Sequence, residues 1–324
     1  MKKNIAVISG GYSHEAEISY KSAETIIKHL PADKYAVYPI TINQRGWYYS
    51  NDETVTINKN NFSLYLNNQT IQFDCVYIII HGTPGEDGKL QAYFDMLGIP
   101  YNTSGVLPSA LTFNKFFCNN LLRPQGINCA PAIIVNNVEE VNTEEIIYQV
   151  GLPCFVKPSD GGSSFGASKV KSAGELLPAI KLALEHGTQC LVEKFVSGTE
   201  VTCGVFKTKG KITVLPPTEI RSKNEFFDYK AKYKGESEEI TPAAISPEMT
   251  EKIQSLTRKA YEILQLKSIA RIDFIIEDNI PWLIEVNTVP GMSEQSIIPQ
   301  QLKAAGITIS EVLIAQIEEA LSGK

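Results

Sequence analysis

No Cys-X-X-Cys pair occurs in this 324-residue chain, and its six cysteines (Cys75, Cys118, Cys129, Cys154, Cys190 and Cys203) stand mostly in apolar runs. Free cysteine in such a setting behaves as a small hydrophobe. A disulfide scaffold and a zinc site are therefore disfavoured, and a reducing cytosol fits. A basic excess is also missing: the net charge is −6, so no nucleic-acid partner is expected. The longest apolar runs, such as Cys75–Ile80, fall far short of the roughly 20 residues that span a bilayer, so no membrane partner is expected. Met1-Lys2-Lys3 is basic, but the apolar stretch behind it stops at Gly10-Gly11, which argues against a secretory signal. Repeats and low-complexity segments are lacking. No G-x-G-x-x-G follows the first strand, which disfavours a Rossmann dehydrogenase. What remains is an ordinary globular composition, 43% hydrophobic and 20% charged, with length for two or three domains.

The most informative stretch that is present is Ala270 to Gly291. Two short runs, Ala270–Glu277 and Trp282–Thr288, alternate Ile, Phe, Trp and Val with polar residues and read as strands. Asp278-Asn279 supplies turn chemistry between them, and Pro281 suits a strand start. Alternation puts Arg271, Asp273 and Ile275 on one face, and Leu283, Glu285 and Asn287 on one face of the second strand. A hairpin centred on Asn279 sets Asp273 opposite Glu285 and Arg271 opposite Asn287; a slip of one residue would separate the two sets. Two carboxylates, an amide oxygen and a guanidinium on one patch are costly to bury without cations. Hard oxygen ligands of this kind suit Mg²⁺ held between carboxylates and nucleotide phosphates. The alternative is an ordinary hairpin with one solvated face. The turn Thr288-Val-Pro-Gly-Met-Ser that follows favours a site.

From the start of the chain, the strand Asn4–Ser9, the turn Gly10-Gly11 and a helix from about His14 to Leu30, capped by Ser13, predict a doubly wound parallel sheet. Ligands bind at the carboxyl edge of such a sheet, where Glu15 and Glu17 would lie; acids are also favoured there by the helix dipole alone. Tyr35–Ile42 and Asp74–Ile80 read as further strands, and Asn43–Gln72 as a hairpin or irregular insertion. The loop His81 to Gly88 ends in Gly-Lys but is not a Walker loop, because Thr83 stands where a glycine is needed and Leu90 where Ser or Thr would bind metal. Leu90–Leu97 is predicted helical, Gly98–Tyr101 a short strand and Thr103-Ser104-Gly105 a linker. A helix over Ser109–Leu122 would carry Lys115, by default a solvated lysine. Cys154–Pro158 ends on Lys157 and runs into Ser159–Gly166, whose three glycines and three serines offer an anion-binding nest. The strand Gln189–Phe195 leads through Ser197-Gly198 into the strand Glu200–Lys207, a hinge. Lys223–Lys234, dense in Tyr, Phe and Lys, is long enough for a covering loop. Amphipathic helices follow over Met249–Leu264 and Ser310–Leu321.

Seven segments in order resemble ATP-grasp enzymes, specifically the D-alanine–D-alanine ligase family. They are GGYSHEAEIS (10–19), HGTPGEDG (81–88), VKPSDGGSSFG (156–166), VEKFVSGTE (192–200), DYKAKY (228–233), RIDF (271–274) and EVNTVPGMSEQS (285–296). No single motif is decisive; the order and spacing are. Asn114 departs from the aspartate the family carries before its lysine. The resemblance implies an α/β (α+β), three-domain ATP-grasp fold whose N-terminal domain is a doubly wound parallel sheet. The domains would be 1–103, 104–193 and 194–324. It implies a bacterial cytoplasmic homodimer that uses ATP and two Mg²⁺ ions, with Mn²⁺ able to substitute.

Carried over position by position, Lys115, Lys157, Ser163 and Ser164 would hold phosphates. Glu193, Lys194 and Val196 would line the adenine pocket, and Glu200 would meet the ribose. Asp273, Glu285 and Asn287 would bind Mg²⁺. Glu15 would take the ammonium of the first D-alanine, linked through Ser163 to Tyr233, with His81 close by, while Lys232 would reach the γ-phosphate. Arg271 and Gly291 would serve the oxyanion, and Ser296 the carboxylate. Tyrosine at 233, where D-alanine–D-lactate relatives tend to carry histidine, points to the dipeptide. The rivals are an ATP-grasp ligase for another acid or nucleophile, and a nucleotide-binding regulator without catalysis. Intact Arg271, Asp273, Glu285 and Asn287 oppose the second.

Overall fold

The computed structural model describes residues 2–161, 165–222 and 237–323. It holds three sheets, each built around a different part of the chain. In the first, Lys3–Gly10 lies between Tyr35–Asn43 and Cys75–Ile78, parallel to both. Ile5–Ile8 and Cys75–Ile78 are short apolar runs of the kind two-sided burial favours. The polar stretch after Asn43 forms Gly46–Tyr49, Asp52–Asn58, Ser63–Leu66 and Gln69–Ile71, an antiparallel meander that carries the sheet onward. Asn67 and Asn68, at φ 51° and 59°, make one of its two-residue turns. The sheet is thus mixed: three parallel strands and four antiparallel ones.

Both faces of this sheet are covered. Phe62, Leu64 and Phe94 pack against Ile8, Ile40 and Ile78 on one side. On the other, Ile5, Val7 and Tyr77 meet the helices Ala16–His29 and Ile309–Ser322 through Ile26, Val312 and Ile317. The C-terminal helix therefore returns to the first sheet, and Tyr77 donates to Gln316 Oε1 at 2.5 Å.

The second sheet is antiparallel: Ser168–Val170, Cys154–Pro158, Cys190–Lys194 and Ala132–Val135, with the helices Thr143–Val150 and Ala173–His186 packed on it. In the third, Thr199–Thr208 pairs with Lys211–Val214, Thr218–Ser222 and Ala270–Glu277, and the last of these with Ile280–Asn287. Ser237–Ile240 adds an edge. Helix Pro247–Ile263 covers the third sheet through Ile253 and Ala260. All six cysteines are buried and unbridged, as their apolar settings require.

Two local expectations change. The helix over Ser109–Leu122 is two helices, Val106–Phe113 and Lys115–Leu122, broken at an extended Asn114 that bridges to Asp160. Asn114 Oδ1 accepts from Phe117 N–H and from Ser159 Oγ, and its amide donates to Gln189 Oε1 at 3.0 Å. The last bond needs an amide donor, which the family's aspartate lacks. Residues 103–105 are no loose linker. Thr103 and Ser104 are buried, and Ser104 Oγ both donates to Lys267 O at 3.1 Å and accepts from Lys267 N–H at 3.0 Å. The joint is packed because its polar groups find partners on the third sheet's side of the molecule.

Candidate active site

The hairpin at 270–287 turns on two residues, not three. Asp278 and Asn279 take φ 50° and 61°, the paired left-handed conformation of a type I′ turn, and Glu277 pairs with Ile280. That register alone would set Asp273 against Ile284. A bulge between Asp273 and Phe274 absorbs one residue, and beyond it Asp273 faces Glu285 and Arg271 faces Asn287. The pairing expected from the sequence is present, reached by an even turn plus a bulge. The bulge also reverses one assignment: Leu283 is not on the face of Glu285 but in the core, 1% exposed, beside Phe274. Ile284 lines the cavity in its place.

Asp273 is the hub of this face. Arg271 donates Nε to its Oδ1 at 2.9 Å and Nη2 to its Oδ2 at 2.8 Å. Asn287 Nδ2 donates to Oδ2 at 3.1 Å, and Thr202 Oγ1 donates to Oδ1. Thr202 escaped the sequence reading. Its signal was parity: it sits directly opposite Asp273 on the neighbouring strand.

A cavity of about 920 Å³ opens above this face, between the three sheets. Glu15, Lys115, Lys157, Glu193, Lys194, Val196, Glu200, Asp273 and Glu285 all line it. The first helix begins at Ala16, two residues later than expected, so Glu15 takes the cap position and turns into the cavity while Glu17 faces solvent. Ser13 Oγ accepts from Glu15 N–H at 3.2 Å and donates to His81 O at 2.9 Å. Lys115 is not solvated: it is 8% exposed, its ammonium 3.4 Å from Glu285 and donating to Gly161 O at 2.7 Å. Lys157 pairs with Glu193 at 2.6 Å, both buried. Lys194 is half-exposed, 4.0 Å from Glu277 and above the Trp282 ring. Phe155 and Phe195, with Val196, Ile275 and Ile284, give the far end apolar walls suited to a planar base.

His81, Gly291 and Ser296 gather beside the cavity, at the turn after the hairpin. His81 Nδ1 lies 2.7 Å from Val289 O, a carbonyl that can only accept, so Nδ1 carries a proton; burial holds the ring's pKa below the usual value. Ser296 stands at the N-cap position of helix Ile297–Ala304 without a side-chain cap bond, its hydroxyl sharing a 2.7 Å hydrogen bond with Ser293 Oγ. A Cβ added to Gly291 would stand 2.8 Å from Ser296 Oγ. Glu86, unassigned from the sequence, accepts from Gly82 N–H at 2.7 Å and from Val289 N–H at 3.1 Å. Burial, then repulsion from Glu15, pushes its carboxyl up to about 7. Ser163, Ser164, Lys232 and Tyr233, and with them the expected covering loop, lie outside the described residues.

The donor set fits a hard divalent cation that also takes phosphate oxygens. Asp273 and Glu285 face each other on adjacent strands, and Asn287 donates its amide nitrogen to Asp273, which leaves its side-chain oxygen as the acceptor end. Among the described residues no group of three His, Cys, Asp or Glu forms a self-sufficient metal cage.

Comparison with known proteins agrees across the chain. Residues 4–104 match the family model "D-ala D-ala ligase N-terminus" and residues 121–318 "D-ala D-ala ligase C-terminus". The D-alanine–D-alanine ligase of Flavobacterium johnsoniae is 49% identical over 322 residues, covering 99% of this chain and 100% of that one. The crystal structure of VanG D-Ala:D-Ser ligase from Enterococcus faecalis superposes with a TM-score of 0.88 at 32% identity, covering 98% and 99% of the two chains. The Bacillus anthracis D-alanine–D-alanine ligase complexed with ATP superposes with a TM-score of 0.80 at 31% identity, over 100% and 98%.

Proposed function

The chain belongs to the D-alanine–D-alanine ligase family, and from that premise we propose that it joins two D-alanines at the expense of ATP, for peptidoglycan precursor synthesis. The observation that carries the reading is one cavity lined both by Glu15, from the first sheet's edge, and by Lys115, Lys157, Asp273 and Glu285. An amino acid and a triphosphate can meet there.

The chemistry follows from what a carboxylate lacks. Its oxygen is a poor leaving group, so the γ-phosphoryl of ATP is first moved onto the carboxylate of one D-alanine. The amine of the second then attacks the acyl phosphate, and phosphate leaves. Lys115 and Lys157 hold the phosphates, an assignment supported by their burial at the cavity wall. Glu193, Lys194 and Val196 receive the adenine and Glu200 the ribose. Asp273, Glu285 and Asn287 would hold two Mg²⁺ ions, which Mn²⁺ could replace, and a divalent cation there would supply positive charge to offset that on the transferring phosphoryl group. Glu15 binds the first ammonium, and Ser296 the product carboxylate. Arg271 and the Gly291 N–H serve the oxyanion of the tetrahedral intermediate. Arg271 is tied edge-on to Asp273, so the oxyanion donor and the phosphoryl end of the site are fixed relative to each other. The reading carries with it a homodimer, a division of the chain at 103/104 and 193/194, and a cytoplasmic setting. No helix among the described residues is long and apolar enough to cross a membrane.

Phosphate release with Mg-ATP and D-alanine, with the product identified by mass, tests the reaction. Parallel runs with L-alanine, and with D-alanine plus D-serine or D-lactate, test the second subsite. D-Alanyl-D-alanine from D-alanine alone is the expected product. A mixed product formed in preference to it would move the chain to a D-Ala:D-Ser or D-Ala:D-lactate role. Gly291→Ala is a second test: the added methyl would stand 2.8 Å from Ser296 Oγ, so either that hydroxyl or the turn must give way, and a turn that gives way carries the N–H with it. Such a displacement is expected to lower kcat about 10²-fold with the KM for ATP unchanged. Wild-type kcat would show that the Ser296 hydroxyl yields to the methyl and the backbone N–H stays in place.

A further inference from the structure

The turn that carries Gly291 has left the sheet: strand pairing ends at Asn287. Something else must hold its backbone, since an oxyanion donor is useful only where its position is fixed. The hydrogen bonds name the holder. Val289, two residues from Asn287 and two from Gly291, has both of its backbone polar groups engaged by side chains of one loop of the first sheet. Its carbonyl accepts from His81 Nδ1 at 2.7 Å, and its N–H donates to Glu86 Oε1 at 3.1 Å. The second carboxylate oxygen of Glu86 accepts from Gly82 N–H at 2.7 Å, while Glu86 N–H donates back to Gly82 O at 2.9 Å. Both oxygens are therefore committed, and the carboxylate cannot swing without releasing one N–H. One further stitch, Met292 N–H to Ser22 Oγ at 3.1 Å, anchors the far side of the turn to the first helix.

We propose that Glu86 is a positioning residue of the ligase reaction: with His81 it clasps the Val289 peptide and so sets the turn from which Gly291 faces the reacting centre. This rests on the function proposed above. Glu86 does not touch the substrates in this assignment; it acts through the backbone of 288–291. The role needs a carboxylate specifically. Two N–H groups must be accepted at once, and an amide offers only one acceptor, its NH₂ meeting the other N–H donor to donor. Glu86→Gln keeps the shape and loses the clasp. Glu86→Asp keeps two acceptors on a shorter stem and is expected to fall between.

The test is steady-state kinetics on wild type, Glu86→Gln and Glu86→Asp, with ATP consumed and dipeptide formed measured together. A loosened turn is expected to lower kcat about 10²-fold in Glu86→Gln. The KM for ATP should hold within about twofold, because the residues assigned to the nucleotide lie on other elements. ATP consumed per dipeptide should rise above the wild-type ratio, as acyl phosphate leaks to water before the amine is aligned. Glu86→Asp should recover part of both losses. Unchanged kcat and ratio in Glu86→Gln would overturn the inference. So would a fall in kcat that matches a loss of folded protein with the ratio intact, because that is a purely structural role. If Glu86→Gln does not fold, Glu86→Asp decides alone: a wild-type ratio and kcat overturn the inference, and a raised ratio supports it. Wild-type silence with D-alanine would overturn the proposed function and this inference with it.

Discussion

Asp273→Asn is expected to lower kcat by about 10³-fold or more, and to leave the fold and ATP binding largely in place. A metal site stabilising phosphoryl charge is worth several kcal/mol, and each 1.36 kcal/mol or so is tenfold in rate. Asp273 is bound by Arg271, Asn287 and Thr202 at once. An asparagine there loses a ligand and also turns an NH₂ toward one of those donors. Two causes are thus mixed in one variant, the metal and the aim of Arg271. Glu285→Gln helps to separate them, because it alters the metal face from the side of Lys115, 3.4 Å away, without replacing the carboxylate that holds Arg271. Loss of turnover in both variants, with a raised Mg²⁺ requirement where residual activity allows titration, supports the metal assignment. Full activity in either would sink it. Collapse of Asp273→Asn alone would put the burden on Arg271.

Lys157→Met carries the second large effect, and it falls on two observables. The ammonium sits 2.6 Å from Glu193, and both side chains are buried. Removing one partner of such a pair leaves an uncompensated charge and typically costs about 3–5 kcal/mol of stability. The same substitution removes a phosphate contact, so kcat/KM for ATP should drop by about 10²–10³-fold. The double variant Lys157→Met/Glu193→Gln distinguishes the two. It replaces the pair by neutral groups, so unfolding by heat or urea should recover toward wild type while ATP use stays low, and lower than in Glu193→Gln alone, which measures the loss of the adenine contact. If ATP use returned with stability, Lys157 would be a structural lysine and the phosphate role would fall to Lys115 and residues elsewhere.

Much of this site was legible in the chain. The alternation in RIDF set Arg271 and Asp273 on one face, and EVN set Glu285 and Asn287 on one face of the next strand, because side-chain direction along a strand is a local property with period two. Gly10-Gly11 and the run after it located the first helix and placed Glu15 at its start. Cysteines in apolar runs were buried and unbridged. The polar stretch 43–72 was the weakest reading: its short strands have little apolar patterning, since as a meander at the sheet's end many of their residues face water.

Local pattern did not reach everything. The hairpin's register came out as expected only because a bulge compensated for a two-residue turn, and the same bulge sent Leu283 inward. Lys115, read as solvated by default, is buried because the helix breaks at Asn114 and aims it at Gly161 and Glu285. The 103–105 segment looked like a linker because it is small and polar; Lys267, over 160 residues away, supplies its partners. Glu86 and Asp87 are neighbours of the same type in one loop, and nothing local tells them apart. Val289, about 200 residues downstream, does so by donating to only one. The sequence by itself determined the strands, turns and face assignments, because those depend on period and on the conformational limits of single residues. Tertiary structure alone decided which charges pair, which carboxylate clasps the turn and where the cavity lies. Those depend on three sheets meeting, and burial then selects a partner for each polar group from distant parts of the chain.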